Sequence, residues 1–469
     1  MFQKMLIGGK LVGKDEKGKR IKVINPATEK TYAHVPKGKV KHINKAVAAA
    51  KKAFPKWAAT SQAKRQEVVS KIADVISNNA EMLARIMVKE QGKPMPEALG
   101  EMAWTEGYLR HYATLSVEGR TIQDDETFKI EMRRVPLGVV AGICPWNFPV
   151  LVPFWKIGPA LIAGNTVVMK PSPTTPVTLM KILELCNDFV PAGVLNIVSD
   201  ENDLGEVLTS HPDVAKVSFT GSTETGRKIM ASAAGTNKRL TLEMGGNDPA
   251  IVMADVDVKE TAAKIYAGAF MNAGQVCMAI KRVYVHEKIY DEMCDELTKL
   301  AEAAVVGDGL QQGSTIGPIQ NKAQYEKVKA LIKSADTDGK ILCGGVVKGK
   351  KGYFIKPVIV RDVKDGDDIV DKEQFGPILP IIKFKDVKKV GLLANASDYG
   401  LGASVWSADE KAATKLAATI ESGTVWVNQS TNIGPHIPMA GFKASGIGVE
   451  QSAEGLEEYT QIQVLNIAH

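Results

Sequence analysis

The chain has 469 residues, of which 45% are hydrophobic and 24% charged, and its formal net charge is +6. This composition is ordinary for a globular enzyme and excludes a disordered or fibrous chain, while the length predicts two to three domains. Basic residues cluster between Lys10 and Lys22 and at Lys348, Lys350 and Lys351. No aromatic residues are interleaved with them, so we expect solvated surface and no nucleic-acid partner.

The five cysteines are odd in number, and no two have the close spacing of zinc ligands. We therefore expect neither a disulfide framework nor a metal site. Free thiols suit a reducing compartment, and the first nine residues lack the apolar core and cleavage site of a signal peptide. These features predict a cytoplasmic location.

Apolar residues at helical spacing predict amphipathic helices across residues 40–115. Residues 135–155 then carry no charge and are long enough to span a bilayer, but they contain four prolines. Prolines would break the backbone hydrogen bonds that lipid requires, so we expect a buried strand, loop and helix start and no membrane partner.

From Gly138 onward, short β-branched runs alternate with helical segments, which is typical of parallel sheets with crossover helices. Gly245 and Gly246, followed by Pro249, interrupt the pattern and predict a boundary between two α/β domains. Two further segments, Thr121–Arg134 and Tyr459–Ile467, alternate in part and predict edge strands outside these domains. The strands predicted in the main series are Gly138–Ile143, Thr166–Met169, Leu195–Val198, Lys216–Phe219, Ala250–Met253 and Arg282–His286.

Residues 272–277 contain a candidate nucleophile, Cys277, preceded by Gly274, which permits close backbone approach. An attacking thiol must be partly ionised by its surroundings, and a buried inert cysteine is the alternative interpretation. Glu243 ends an apolar strand before two glycines, where parallel sheets bind ligands, and is the candidate base. A surface glutamate at a strand end is its alternative.

Asn147 lies in a proline-bounded segment, where its amide could donate to an oxyanion or stabilise a tight turn. Residues 219–226 place a glycine and a hydroxyl residue between a strand and a helix, which favours anion binding. Arg227 stands where a P-loop carries lysine, which excludes a P-loop ATPase, and the usual dinucleotide fingerprint is absent. The residues alone therefore indicate an α/β enzyme with a nucleotide-like phosphate site and a candidate thiol.

In this order, the segments resemble the aldehyde dehydrogenase superfamily over nearly the whole chain, in its NAD(P)-dependent, non-acylating form. The motifs are Asn25-Pro26-Ala27-Thr28, Pro145-Trp146-Asn147-Phe148-Pro149, Lys170-Pro171-Ser172, Phe219-Thr220-Gly221-Ser222, Leu242-Glu243-Met244-Gly245-Gly246, Gly274-Gln275-Val276-Cys277, Glu373-Gln374-Phe375-Gly376-Pro377, Val425-Trp426-Val427-Asn428 and Lys443-Ala444-Ser445-Gly446. The resemblance implies that Cys277 attacks an aldehyde carbon and that Asn147 and the backbone N–H of Cys277 hold the oxyanion. It also implies that hydride passes to NAD or NADP and that Glu243 activates the water that hydrolyses the resulting thioester.

The resemblance further implies two sets of ligand contacts. The cofactor-binding residues that it implies are Ile143, Pro145, Trp146, Lys170, Ser172, Pro173, Gly221, Ser222, Glu373 and Phe375. The substrate-pocket residues that it implies are Trp104, Tyr108, Phe148, Val152 and Trp155.

The expected fold is α/β, with two Rossmann-like parallel-sheet domains and a small β oligomerisation domain. Residues 1–115 and 136–246 are assigned to the NAD(P)-binding domain and residues 247–444 to the catalytic domain. Residues 116–135 and 445–469 are assigned to oligomerisation strands and the C-terminal tail. Because open sheet edges seek partners, these strands predict a homodimer or homotetramer.

Three departures from the family pattern affect specificity. Pro173 stands where the family often has a glutamate that binds the cofactor's ribose and repels the 2′-phosphate of NADP, so we expect both cofactors to work. A glycine commonly follows the strand that ends at Val198, but Ser199-Asp200 stands here, and the negative charge of Asp200 near the adenosine would favour NAD. Met439-Ala440-Gly441 replaces Phe-Gly-Gly and is expected to reshape the mouth of the active site.

The expected pocket is apolar and aromatic, with no arginine clamp, which favours an uncharged aliphatic or aromatic aldehyde. A semialdehyde dehydrogenase is the alternative. Acylating relatives, which transfer the thioester to coenzyme A or phosphate, generally lack the glutamate that stands here as Glu243. A recruited, non-catalytic binding protein on the same fold remains the other alternative, although it would not need Cys277 or Glu243.

Overall fold

The computed structural model describes residues 2–13 and 19–469, so Met1 and the middle of the basic stretch between Lys10 and Lys22 lie outside the described residues. The helices of the described residues are α1 Val40–Ala58, α2 Gln62–Asn78, α3 Ala80–Gln91, α4 Met95–Tyr112, α5 Leu151–Ile162, α6 Val177–Cys186, α7 Gly205–Thr209, α8 Thr223–Ala234, α9 Val258–Phe270, α10 Tyr290–Glu302, α11 Lys322–Asp338, α12 Asp368–Asp371, α13 Val387–Asn395, α14 Glu410–Ala417 and α15 Ser452–Glu457. The strands are β1 Met5–Ile7, β2 Lys10–Val12, β3 Arg20–Asn25, β4 Lys30–Pro36, β5 Arg120–Asp124, β6 Phe128–Pro136, β7 Val139–Ile143, β8 Thr166–Lys170, β9 Leu195–Ile197, β10 Val214–Thr220, β11 Arg239–Glu243, β12 Asp248–Val252, β13 Ile280–His286, β14 Lys340–Val346, β15 Ile355–Val363, β16 Ile378–Phe384, β17 Tyr399–Gly400, β18 Gly402–Trp406, β19 Thr424–Val427, β20 Met439–Ala440, β21 Phe442–Lys443, β22 Gly446–Ile447, β23 Val449–Glu450 and β24 Thr460–Ala468.

The first sheet has the strand order β2-β1-β9-β8-β7-β10-β11-β22. Its central strands, β9 to β11 in that order, run parallel, whereas β1, β2 and β22 pair antiparallel at the two edges. Every residue of β7 and β8 is buried, as expected for parallel strands that are covered on both faces. The uncharged stretch 135–155 forms the end of β6, all of β7, a loop and the start of α5, which confirms the predicted buried arrangement.

The second sheet has the order β14-β15-β16-β13-β12-β18-β19 and is parallel except for the pair β14 and β15. The chain passes from one sheet to the other between Glu243, the last residue of β11, and Asp248, the first residue of β12. This crossing contains Gly245 and Gly246, where the sequence predicts the boundary. The predicted α/β fold with two parallel-strand sheets is confirmed.

The helices predicted for residues 40–115 are α1 to α4. On α2, the residues Val68, Ile72 and Ile76 lie one turn apart and are all buried in the core of the first sheet. Their spacing matches the helical period, which explains why the sequence pattern located this region correctly. No helix in the described ranges has both the length and the apolar character that crossing a bilayer requires.

A third sheet, the outer sheet, is antiparallel and has the order β24-β6-β5. It contains the predicted edge segments Thr121–Arg134 and Tyr459–Ile467. The tail assigned from residue 445 is less uniform than expected, because β22 pairs with β11 of the first sheet and α15 separates it from β24. Because Gly446 pairs with Glu243, this part of the tail belongs to the first sheet and not to the outer sheet.

The outer sheet predicts self-association, because Ile122, Ile462 and Val464 are 55%, 50% and 52% exposed. Exposed apolar strands of this length are unfavourable in a monomer. We expect a dimer or tetramer by light scattering, and we expect Ile462→Glu with Val464→Glu to lower the measured mass.

Leu392→Glu is the matched control, since Leu392 is 72% exposed on α13 and lies outside the outer sheet. Loss of assembly in this control, or a monomeric wild type with full activity, would contradict the assignment.

Candidate active site

A cavity of about 440 Å³ lies where the two sheets meet. Residues that follow β7 and β11, and residues at the end of β10, form one side of it. The segment between α9 and β13, which carries Cys277, also lines the cavity. The cavity therefore lies outside the carboxyl ends of the parallel strands, the usual ligand position in such folds.

The structure brings most of the predicted site residues to this cavity. Those that line it are Trp104, Tyr108, Pro145, Trp146, Asn147, Phe148, Val152, Trp155, Gly221, Ser222, Cys277, Glu373 and Phe375. Glu243 is buried beside it, next to the lining residues Met244 and Gly245. The lining does not include Ile143, Lys170, Ser172 or Pro173.

The loop before Cys277 has an unusual backbone. Asn272, Ala273 and Gly274 have successive φ angles of 51°, 54° and 71°, all in the left-handed region. A Cβ on Gly274 would lie 2.4 Å from the Gly376 carbonyl oxygen, so close backbone approach requires glycine there. The left-handed conformation of Ala273 costs on the order of 1 kcal/mol or more, and the surrounding contacts must therefore impose it.

Burial raises the pKa of the Cys277 thiol to about 12. The Lys281 ammonium opposes this rise, while the negative charges of Glu243, Asp248 and Glu373 add to it. Lys281 donates a hydrogen bond to the Cys277 carbonyl oxygen, and its Nζ lies 3.5 Å from a Glu373 carboxylate oxygen. The thiol is thus protonated at neutral pH and would have to lose its proton to act as a nucleophile.

The Asn147 side chain is buried and faces the cysteine loop. Its Nδ2 donates to the Gln275 carbonyl oxygen at 3.0 Å. An amide nitrogen carries two N–H groups, so one contact fixes the side chain and the second N–H can serve a ligand. This arrangement suits an amide that stabilises negative charge beside Cys277.

Glu243 lies in a strongly desolvated position. Within the described part of the chain, neither of its carboxyl oxygens has a hydrogen-bond partner. Burial and the nearby Glu450 raise its pKa well above the ordinary value, and the Lys156 ammonium opposes them. Lys156 is held 2.8 Å from Glu450, whose same oxygen accepts from the Ser218 hydroxyl. This desolvation favours the neutral form of Glu243, which would have to be ionised before it could accept a proton.

The predicted phosphate turn begins helix α8. Ser222 caps this helix by accepting from the Thr225 backbone N–H at 3.3 Å, while Gly221 and Thr220 face the cavity. A helix N-terminus with free N–H groups attracts anions. A Cβ on Gly221 would lie 2.5 Å from the Phe219 ring, so this tight approach also depends on glycine.

Lys170 is engaged within the protein. Its Nζ lies 2.9 Å from an Asp200 carboxylate oxygen and donates to the Asn202 side chain at 3.0 Å. The other Asp200 oxygen accepts from the Leu204 backbone N–H. The sequence analysis treated Lys170 as a cofactor contact and Asp200 as a separate negative charge, but the structure joins the two in a buried ion pair.

Several residues of the site were missed by the sequence analysis. Gln324 and Lys327 of α11 line the cavity near Glu373, and burial lowers the pKa of Lys327 while Glu373 opposes the change. Their i, i+3 spacing puts them on one face of the helix, but nothing in the sequence marks that face as the one turned to the site. Six lining apolar residues were also missed, namely Leu151, Met244, Met271, Val276, Met278 and Ile433.

Comparisons with known proteins agree with this geometry. The family model described as "Aldehyde dehydrogenase family" matches residues 13–465. The chain is 40% identical to phenylacetaldehyde dehydrogenase of Pseudomonas fluorescens, covering 99% of this chain and 96% of that protein.

Two solved structures are similar over all of this chain. The NAD+ complex of an aldehyde dehydrogenase from Bacillus cereus has a TM-score of 0.97 and 36% identity, with 97% of that protein covered. An E. coli NADP-dependent enzyme has a TM-score of 0.97 and 35% identity, with 98% covered. The chain belongs to the aldehyde dehydrogenase family, which confirms the predicted class of NAD(P)-dependent oxidoreductase.

The raised thiol pKa predicts the reactivity of Cys277. Because only the thiolate is alkylated, its reaction with iodoacetamide in the cofactor-free protein should accelerate about tenfold per pH unit between pH 7 and 9. Lys281→Met should slow it at each pH, because loss of the ammonium raises the thiol pKa further. The measurement is the labelling rate of the Cys277 peptide by mass spectrometry.

Cys277→Ala is the control for peptide assignment, and Cys343, which is also partly exposed, is the comparison within the chain. A labelling rate already on a plateau at pH 7 would show that Cys277 is a thiolate, contrary to this prediction.

Proposed function

We propose that the protein oxidises an uncharged aliphatic or aromatic aldehyde to a carboxylic acid through a thiohemiacetal and a thioester on Cys277. The observation that carries the proposal is the single cavity in which Cys277, the Asn147 amide and the start of α8 meet. Glu243 is buried beside it, where it can act on a water molecule that attacks the thioester.

The residues of the cavity fit a nicotinamide dinucleotide. The glycine turn at α8 would hold its pyrophosphate, and Trp146 with Phe375, whose ring centroids are 5.2 Å apart, would flank the channel toward Cys277. Glu373, which also lines the cavity, would contact the nicotinamide ribose. When bound, NAD or NADP supplies the hydride acceptor.

The protein's own groups account for the remaining steps. The Cys277 thiol passes its proton to solvent water as the sulfur forms a bond to the aldehyde carbon, and the Asn147 amide and the backbone N–H of Cys277 stabilise the carbonyl oxygen that gains negative charge. After hydride loss, ionised Glu243 takes a proton from water, and the hydroxide adds to the thioester carbonyl. Collapse of that adduct breaks the C–S bond and releases the acid.

The lining of the pocket supports an uncharged substrate. Tyr108 and Trp155 pack with ring centroids 5.6 Å apart, and the other predicted pocket residues are aromatic or aliphatic. Among the described lining residues, Lys327 is the only cation, and it lies near Glu373. A semialdehyde carboxylate would therefore lack a dedicated partner, whereas an arylacetaldehyde, named in the Pseudomonas relative, fits the aromatic walls.

We further infer that residues 1–115 and 136–246 form the cofactor-binding domain and residues 247–444 the catalytic domain. The outer sheet would join subunits in a dimer or tetramer. The five cysteines are free in the structure, which supports the cytoplasmic location expected from their spacing.

The proposal predicts a separation of the two halves of the reaction. Glu243→Gln should give one equivalent of reduced cofactor per site in a rapid burst and then turn over about a hundredfold to ten-thousandfold more slowly, because the thioester persists. Cys277→Ala should show neither burst nor turnover with phenylacetaldehyde. Stopped-flow absorbance of the reduced cofactor measures both.

Cys144→Ala is the matched control, since this buried thiol lies outside the cavity lining. Normal steady-state turnover in Glu243→Gln, or substantial activity in Cys277→Ala, would refute the proposed mechanism.

Cofactor choice should depend on the Lys170–Asp200 pair and on Pro173. Both NAD and NADP should work. Pro173→Glu should shift the preference toward NAD by roughly tenfold, corresponding to about 1.4 kcal/mol, through a new ribose contact and phosphate repulsion. Asp200→Asn should shift it toward NADP, because it releases the Lys170 charge for the 2′-phosphate.

The measurement is the ratio of kcat/KM for the two cofactors. Asp203→Asn is the control, as an exposed acid on the same loop that pairs with Lys37 instead. An unchanged ratio in both Pro173→Glu and Asp200→Asn would show that neither residue faces the ribose.

A further inference from the structure

Helix α4 carries two carboxylates that reach the two loops of the proposed oxyanion site. Glu97 and Glu101 are four residues apart and so share one helix face. Glu101 is fully buried, and its Oε1 accepts from the backbone N–H groups of Val150 and Leu151 at 2.9 and 3.1 Å. It thereby fixes the start of α5, directly after the loop that contains Asn147.

The second oxygen of Glu101 forms a buried ion pair. Lys93 Nζ lies 2.6 Å from Glu101 Oε2 and donates to the Asn147 carbonyl oxygen at 3.0 Å. The same ammonium lies 4.0 Å from the centre of the Phe148 ring. The Lys93 ammonium thus contacts both Asn147 and Phe148 of this turn while it is paired with Glu101.

Glu97 holds the other loop. Both of its carboxylate oxygens lie 3.1 Å from the backbone nitrogen of Asn272, the first of the three left-handed residues before Cys277. The Asn272 side chain in turn donates to the carbonyl oxygens of Asn147 and Gln275 at 3.0 and 3.3 Å. Burial raises the pKa of Glu97 to about 6, so it is mainly ionised at neutral pH.

We propose that Lys93, Glu97 and Glu101 are positioning residues that set the separation between the Asn147 amide and the backbone N–H of Cys277. This inference rests on the oxyanion role of these two groups in the proposed function. A strained backbone persists only where its neighbours impose it, and the contact from Glu97 acts on the strained segment itself. A buried ion pair is by itself weak evidence for a role in stability. The Lys93–Glu101 pair contacts the loop that presents Asn147, which supports a role in positioning that loop.

A double-mutant cycle tests the proposal. In single-turnover reactions with phenylacetaldehyde and NAD, Lys93→Met and Glu97→Ala should each slow formation of reduced cofactor about tenfold to a hundredfold, the size of effect expected for misplaced catalytic groups. Cofactor affinity, measured separately by fluorescence titration, should not change. In an Asn147→Ala background, the same substitutions should slow the reaction less than about threefold, because the group that they position is gone.

Further variants separate positioning from folding. Glu97→Gln retains an oxygen that can accept from Asn272 and should recover most of the rate. Glu106→Gln is the matched control, as an outward-facing residue of α4 that pairs with Arg110. Lys93→Met leaves Glu101 unpaired, so if that variant does not fold, the partly exposed Glu97 carries the test.

Two results would overturn the inference in distinguishable ways. If Asn147→Ala is itself slow and the Lys93 and Glu97 substitutions lower its rate by the same factors as in the wild type, the positioning role would be refuted and the oxyanion role would stand. A wild-type rate in Asn147→Ala would refute the proposed oxyanion role together with the inference.

Discussion

The hydrogen bond from the Asn147 side chain to the Gln275 carbonyl oxygen, 3.0 Å long, joins the loop after β7 to the loop before β13. The two loops extend from different sheets, and the cavity lies where they meet. The polar contacts between the loops are buried, where an unpaired group would cost about 1–3 kcal/mol, so these contacts favour one arrangement of the two loops. Reactive groups from both sheets are consequently presented to the same small volume.

The same burial controls the charge state of the reactive groups. Burial raises the pKa of the Cys277 thiol to about 12 and raises the pKa of Glu243 well above its ordinary value, while Lys156 and Glu450 form a buried ion pair close to the glutamate. In the proposed mechanism, these surroundings favour the uncharged forms of the nucleophile and the base until a bound ligand or a proton transfer changes the local charge. Desolvation therefore contributes to the order of events as well as to the strength of each interaction.

Local sequence signals were sufficient for the parts of the molecule that depend on local physics. Buried parallel strands such as β7 and β8 appear as β-branched runs, and Gly221 and Gly274 mark close backbone approaches that the structure contains. The helices of residues 40–115 follow from their 3.6-residue period. The motif order along the chain was enough to place Cys277 and Asn147 in one site.

Interactions between distant segments could not be predicted in this way. The Lys170–Asp200 ion pair joins two loops, and no spacing rule connects a lysine at a strand end with an aspartate thirty positions on. Likewise, Glu97 appears in the sequence as one acid among many on an amphipathic helix, and its contact with Asn272 depends on how α4 packs against the second half of the chain. The short β22 strand was missed because two residues carry no periodic pattern.

The C-terminal segment has a consequence for how the chain tolerates insertions. β22 pairs beside Glu243, Glu450 of β23 reaches Lys156, and β24 then pairs with β6 along nine residues. One residue inserted between Glu450 and Thr460 would have to be absorbed by α15 and its flanking turns, or β24 would slip by one residue and reverse its two faces. A change of length there would disturb both the pairing of β24 in the outer sheet and the Lys156–Glu450 ion pair near Glu243. Tolerance to length variation should accordingly be low in this linker and higher in exposed turns such as the one between β5 and β6.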